Sequence, residues 1–200
     1  MCVGVIETDP KGVVTLPNLI TLIRFLTLPV FVVMLLVYDQ RASAALLLGV
    51  LGMTDWVDGW IARRFNQTSE FGMVFDPFVD RALFVVGTGS VLIDGGVPLW
   101  FCSLILFREV FVGLMMLLGT MIGMKRFAVS VWGKRYTFLL MTSVPLLLLG
   151  SSSHVTAEAA KWLGWALGLP GIVMSYFVGI RYIPVVLNNV RLGRAERGLR

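Results

Sequence analysis

An all-α integral membrane protein of six transmembrane helices, with both termini in the cytoplasm (N-in/C-in), is the fold class the sequence predicts. Three observations carry it. Of 200 residues, 57% are hydrophobic and only 14% are charged, against roughly 45–50% and 25% in globular chains. The mean hydropathy is +0.84, and the 21 glycines suit membrane helices, which use Gly more than soluble ones do. Apolar stretches of spanning length also recur along the whole chain, separated by short polar breaks. This composition excludes a disordered chain, a collagen repeat and a small disulfide scaffold. Cys2 and Cys102 have no metal-ligand spacing and read as free thiols.

A spanning helix needs roughly 20 predominantly apolar residues. The first candidate, 18–38, stops at Asp39-Gln40-Arg41, and the second, 42–63, runs into the polar stretch Asn66 to Glu70. The third, 76–94, ends at Asp94-Gly95-Gly96, with Pro98 opening the fourth, 98–120. Lys125-Arg126 separates that helix from the fifth, 135–150, and Ser151-Ser152-Ser153-His154 separates the fifth from the sixth, 161–187. Such short loops make residues 1–200 one membrane domain, with 1–16 a cytoplasmic N-terminal segment and 188–200 a basic cytoplasmic tail. Lys11 alone precedes the first span as a basic residue, and no small-residue cleavage site follows it, so no cleaved leader is expected.

Short cytoplasmic loops carry the excess of Lys and Arg. With six helices the two termini share a side, and on that side fall Lys11, Arg63, Arg64, Lys125, Arg126, Lys134, Arg135, Arg191, Arg194, Arg197 and Arg200. Only Arg41 and Lys161 fall opposite. The net charge of +5 is therefore explained by topology and anionic headgroups rather than by nucleic acid. Arg191, Arg194 and Arg197, three apart, suit a short helix leading out of the last span. His154 sits in a Ser-rich outer loop and is expected to be solvated, while Trp162 and Trp165 read as interfacial anchors.

Carboxylates inside hydrophobic spans are costly, so their positions are informative. Asp55 and Asp58 are three apart, Asp76 and Asp80 four apart, and each pair shares a helix face. A short connection makes the two helices antiparallel neighbours, so four carboxylates can converge near the cytoplasmic surface. They cannot all ionise there unless positive charge is supplied. Arg63, Arg64 and Arg81 supply some, and oxygen ligands without His or Cys suit Mg²⁺ or Mn²⁺ rather than zinc. Gly59 and Ala62 would let a ligand approach the helix backbone. A diphosphate site on a metal pair is the reading these residues favour. Interhelical ion pairs or the proton relay of an ion-coupled transporter are the alternatives, although a relay would spread its carboxylates through the membrane and no repeated halves are evident.

The pattern Asp55-x2-Asp58-Gly59-x2-Ala62-Arg63-x8-Gly72-x3-Asp76-x3-Asp80 resembles the complete signature of the CDP-alcohol phosphatidyltransferases, eight specified residues over 26 positions. The resemblance implies that family's six-helix membrane fold, a homodimer, and transfer of a phosphatidyl group from CDP-diacylglycerol to an alcohol with release of CMP. It implies that Asp55, Asp58, Asp76 and Asp80 hold two Mg²⁺ or Mn²⁺ ions, with Asp80 also taking the proton of the attacking hydroxyl. Gly59 and Ala62 would line the cytidine side with Asp58 and Gly72, and Arg63 would hold the nucleotide phosphates. Gly119-x3-Gly123 and Gly164-x3-Gly168 are possible helix-packing motifs, but the homodimer rests on the resemblance.

For the acceptor alcohol, Pro17-Asn18-x2-Thr21-x2-Arg24 resembles the opening of the phosphatidylglycerophosphate synthases and related cardiolipin synthases. Asn18, Thr21 and Arg24 recur every three residues on one helical face, Asn18 serving either the substrate or simply as a helix cap, and an Arg so deep in a span needs a partner. Arg108-Glu109, in the fourth span, resembles the first of those branches. Mutual neutralisation is one reading of the pair, but adjacent helical residues point about 100° apart, so the two are expected to face different partners, Arg108 the acceptor cavity. Gly133-Lys134-Arg135-Tyr136-Thr137 resembles the family's start of the fifth helix, with Tyr136 where the phosphatidylglycerophosphate synthases commonly have Lys. That departure leans toward actinobacterial-type cardiolipin synthases. Arg108, Lys134, Arg135 and Arg181 could serve either glycerol 3-phosphate or phosphatidylglycerol. Glycerol 3-phosphate is the first expectation, phosphatidylglycerol the second, and inositol phosphate or serine follow.

Overall fold

The computed structural model describes the backbone at residues 16–65, 70–122 and 131–196, and side-chain surroundings at 18–54, 75–76, 78–122 and 136–190. Six helices occupy these residues: α1 (Leu16–Leu36), α2 (Arg41–Phe65), α3 (Glu70–Asp94), α4 (Leu99–Met121), α5 (Val131–Gly150) and α6 (Ala157–Glu196). Their order and number match the expectation. Four ends differ by four residues or more: α3, α5 and α6 begin ahead of residues 76, 135 and 161, and α6 continues unbroken past 187. Hydropathy marks the apolar part of a helix, whereas backbone hydrogen bonding continues through flanking Glu and Arg, which are good helix formers.

Among the described residues, three helices are long and apolar enough to cross a membrane: Asn18–Leu36, Leu99–Met121 and Ala157–Val190. Arg41–Thr54 and Tyr136–Gly150 are shorter apolar helices. The chain is an all-helical membrane protein. Helices α2 and α3 have 25 residues each, about 37 Å at ~1.5 Å per residue, enough for a hydrocarbon core of ~30 Å.

Two compact units divide the chain, Met1–Ser90 and Val91–Arg200. In the first, α1 packs along α2. Asp39 makes the turn between them at φ 53, a left-handed conformation that Asp tolerates better than most residues. Phe31, Leu35, Ala44, Ala45 and Leu48 are buried. Gly87 of α3 admits the Leu48 side chain so closely that an added Cβ would lie 3.0 Å from it. Phe25 meets Phe75 and Phe78 with ring centroids 6.3 and 6.5 Å apart. These aromatic contacts hold α1 against the start of α3, where two of the motif aspartates lie.

The second unit opens on a turn in which Gly95 has φ 74 and Asp94 Oδ2 accepts from the Gly96 amide at 3.0 Å. Its centre is the close pairing of α5 with α6. An added Cβ at Gly164 would stand 2.8 Å from Leu147, and one at Gly168 would stand 2.4 Å from Ser143 Oγ. Ser143 uses that proximity to donate to the Gly164 carbonyl at 2.8 Å. Gly164-x3-Gly168 is therefore a packing motif within the chain. Trp165 stacks on Trp100 at 5.7 Å, Trp162 is exposed, and His154 lies exposed in its loop with Nδ1 2.8 Å from Thr156 Oγ1. Cys102 is a buried free thiol; Cys2 and Gly123 lie outside the described residues.

Candidate functional site

The first unit brings together residues that the sequence had singled out on two different helices. Thr21 Oγ1 on α1 donates to Asp76 Oδ1 on α3 at 2.8 Å. One turn further along both helices, Arg24 Nη1 donates to Asp80 Oδ1 at 2.7 Å. Spacings of three on α1 and four on α3 put both rungs on facing sides of the two helices. Arg24 is only 1% exposed, and Asn18 is buried one turn before Thr21. The partner that a deeply placed Arg requires is thus a motif aspartate.

A 2.7 Å contact between guanidinium and carboxylate is a charge-assisted hydrogen bond, shorter and stronger than a neutral one. Arg24 is buried and needs a counter-charge to replace the water it loses, whereas Asp80 remains 32% exposed. Arg24 therefore compensates part of the charge of Asp80, while Asp76 receives a neutral hydroxyl donor. Carboxylate and hydroxyl oxygens are the donor set that a hard divalent ion prefers. Asp55, Asp58, Gly59, Ala62, Arg63 and Gly72 lie outside the residues whose side chains are described, though their backbones belong to α2 and α3.

The second unit holds the other buried arginine. Arg108, 5% exposed, donates through Nη1 to Glu109 Oε2 at 2.6 Å. The expectation that these neighbours face different partners is corrected: they pair with each other. An angular offset of about 100° separates their Cβ atoms, but both side chains are long enough to fold back, and burial rewards neutralisation. Arg108 Nη2 also donates to the Tyr136 hydroxyl, and its guanidinium lies 4.2 Å from the centre of that ring. The Tyr136 contact was not foreseen; its signal was the aromatic residue standing in a basic Gly-Lys-Arg stretch. Lys134 and Arg135 are outside the described side chains. Arg181 is exposed and lies over the Phe177 ring at 4.7 Å.

Fold and site together define a helical membrane protein in which a buried arginine of α1 is paired with an aspartate near the start of α3. The family model for CDP-alcohol phosphatidyltransferases matches residues 14–170. The chain belongs to that family. It is similar to a CMP-forming cardiolipin synthase of Streptomyces coelicolor, 33% identical over 192 residues, covering 93% of this chain and 88% of the relative. It is also similar to CDP-diacylglycerol–glycerol-3-phosphate 3-phosphatidyltransferases. That of Cereibacter sphaeroides is 35% identical over 160 residues, 76% of this chain and 71% of the relative. That of Rickettsia typhi is 34% identical over 164 residues, 74% and 87% respectively. Membership in a transferase family of phospholipid biosynthesis removes the reason to retain the ion-coupled transporter.

Proposed function

We propose that this chain transfers the phosphatidyl group of CDP-diacylglycerol to an alcohol, releasing CMP. One observation carries the reading: a chain of this family keeps all eight specified residues of the Asp55 to Asp80 motif, with its Asp76 and Asp80 half tied to α1. The acceptor oxygen bonds to the phosphorus that carries diacylglycerol, the bond from that phosphorus to the CMP oxygen breaks, and Asp80 takes the hydroxyl proton. Mg²⁺ or Mn²⁺ held by Asp55, Asp58 and Asp76, with Asp80 at its edge, would neutralise the diphosphate and the departing CMP. Gly59, Ala62 and Gly72 give the nucleotide room beside Asp58, and Arg63 binds its phosphates.

The acceptor we propose is glycerol 3-phosphate, supported by the Asn18-Thr21-Arg24 opening and by the Arg108-Glu109 pair. Phosphatidylglycerol is the second reading. It is favoured by Tyr136 in place of Lys and by the near full-length match to a relative named as a cardiolipin synthase. Both acceptors present a glycerol hydroxyl near an anionic phosphate, which Arg108, Lys134, Arg135 and Arg181 could serve. The excess of Lys and Arg supports both termini and the motif facing the cytoplasm of a bacterial membrane, and we propose a homodimer in keeping with the family resemblance. The test is an acceptor screen: purified protein, CDP-diacylglycerol, Mg²⁺ or Mn²⁺, and separately glycerol 3-phosphate, phosphatidylglycerol, inositol phosphate and serine. CMP release with glycerol 3-phosphate alone supports the first reading, release with phosphatidylglycerol alone supports the second, and no release with any acceptor overturns both.

A further inference from the structure

The opening motif of α1 is associated above with the acceptor, yet two of its side chains, Thr21 and Arg24, are engaged with α3. Thr21 Oγ1 holds Asp76 at 2.8 Å and Arg24 Nη1 holds Asp80 at 2.7 Å. Arg24 is buried to 1% exposure, and its charge is directed at a carboxylate rather than outward to an incoming phosphate. Phe25, the next residue, clamps the same two helices through Phe75 and Phe78. An Asp side chain has two rotatable bonds, and a partner on a second helix restricts both.

We infer that Arg24 is a positioning residue for Asp80: it fixes the orientation of the carboxylate that receives the acceptor's proton and does not bind the acceptor phosphate. This rests on the reading of Asp80 as the proton acceptor. Misplacing a reacting group by about 1 Å costs on the order of 100-fold in rate. An interaction that matters only as the proton moves is lost from kcat, whereas an interaction with bound acceptor is lost from its KM. Arg and Lys differ in the required sense, since Lys keeps the charge but lacks the planar fork that fixes a carboxylate's direction.

The test uses the full chain in detergent with Mg²⁺, CDP-diacylglycerol and the acceptor the wild type accepts. Arg24→Gln is expected to lower kcat by roughly 100-fold and Arg24→Lys by less, each with acceptor KM within about threefold of wild type and CDP-diacylglycerol binding retained. A tenfold or larger rise in acceptor KM at unchanged kcat, on the order seen when substrate contacts are removed, overturns the inference and returns Arg24 to the acceptor. If Arg24→Gln does not fold, the Lys variant decides by the same split. A second measurement is independent of turnover: thermal unfolding of Arg24→Lys, Asp80→Asn and the double variant, where coupling between the two changes is expected. Additive effects overturn the pairing. A wild type that releases no CMP with any acceptor overturns the catalytic reading and the positioning role with it, even if the stability coupling is found.

Discussion

Arg24 in the first unit and Arg108 in the second meet the same physical demand in different ways. Both are buried in apolar helices, where an unpaired cation would be destabilising. The carboxylate for Arg24 comes from a residue 56 positions away that belongs to the aspartate motif. Arg108 takes its carboxylate from the adjacent Glu109 and a hydroxyl from Tyr136, 28 positions away, neither of them in that motif. Burial alone therefore says only that a charge must be neutralised. On the function proposed above, the identity of the partner tells which arginine is coupled to the chemistry.

The strongest test of this contrast is Asp80 itself. Asp80→Asn should reduce CMP release by about 1000-fold, within the range for loss of a general base, with binding of CDP-diacylglycerol retained; a variant that still turns over removes Asp80 as the base. Removing divalent ions with a chelator should likewise stop transfer until Mg²⁺ or Mn²⁺ is restored. Asp55→Ala should shift the metal titration of the rate to higher concentration, and an unchanged titration would take Asp55 out of the metal set.

In the second unit the large effect should fall on stability. Gly168→Val places new atoms against Ser143 and Phe101, and overpacking of this kind costs about 1–3 kcal/mol. Thermal unfolding in detergent would register it, and an unaltered midpoint would show that α5 and α6 can separate freely. Smaller still is Thr21→Val, which loses one hydrogen bond of ~1 kcal/mol and should slow CMP release by roughly fivefold. Least of all is Tyr136→Phe, which keeps the ring over Arg108 and removes the hydroxyl, at a cost of ~1 kcal/mol or less. A change in acceptor KM far beyond that, measured by CMP release, would show that Arg108 and Tyr136 serve the acceptor and narrow the contrast between the two arginines.

The order and approximate positions of the helices were legible because apolar runs and polar breaks alternate so strongly. Arg24 was legible as a residue needing a partner, and Asp76 and Asp80 as a helix face. What remained hidden was which faces meet, since a periodic pattern orients a helix about its own axis but does not choose its neighbour. Arg108 and Glu109 were misread for a related reason: helical angles fix the Cβ direction, whereas flexible side chains of several bonds can close a large angle when desolvation makes pairing favourable. The starts of α3, α5 and α6 and the far end of α6 were misplaced because charge ends a hydrophobic run without ending a helix.

The separation of Arg24 from Asp80 also has a consequence for biogenesis. Ribosomes add about 5–20 residues per second, so the 56 positions between them correspond to about 3–11 s of synthesis. During that interval α1 is made and its arginine has no Asp80 to meet. An Arg at the centre of an inserting helix costs about 2.5–3.5 kcal/mol, which the strongly apolar remainder of α1 must outweigh until α3 arrives. The emergence of α3 then brings the carboxylate that pairs with Arg24, and the pairing offsets part of that insertion cost.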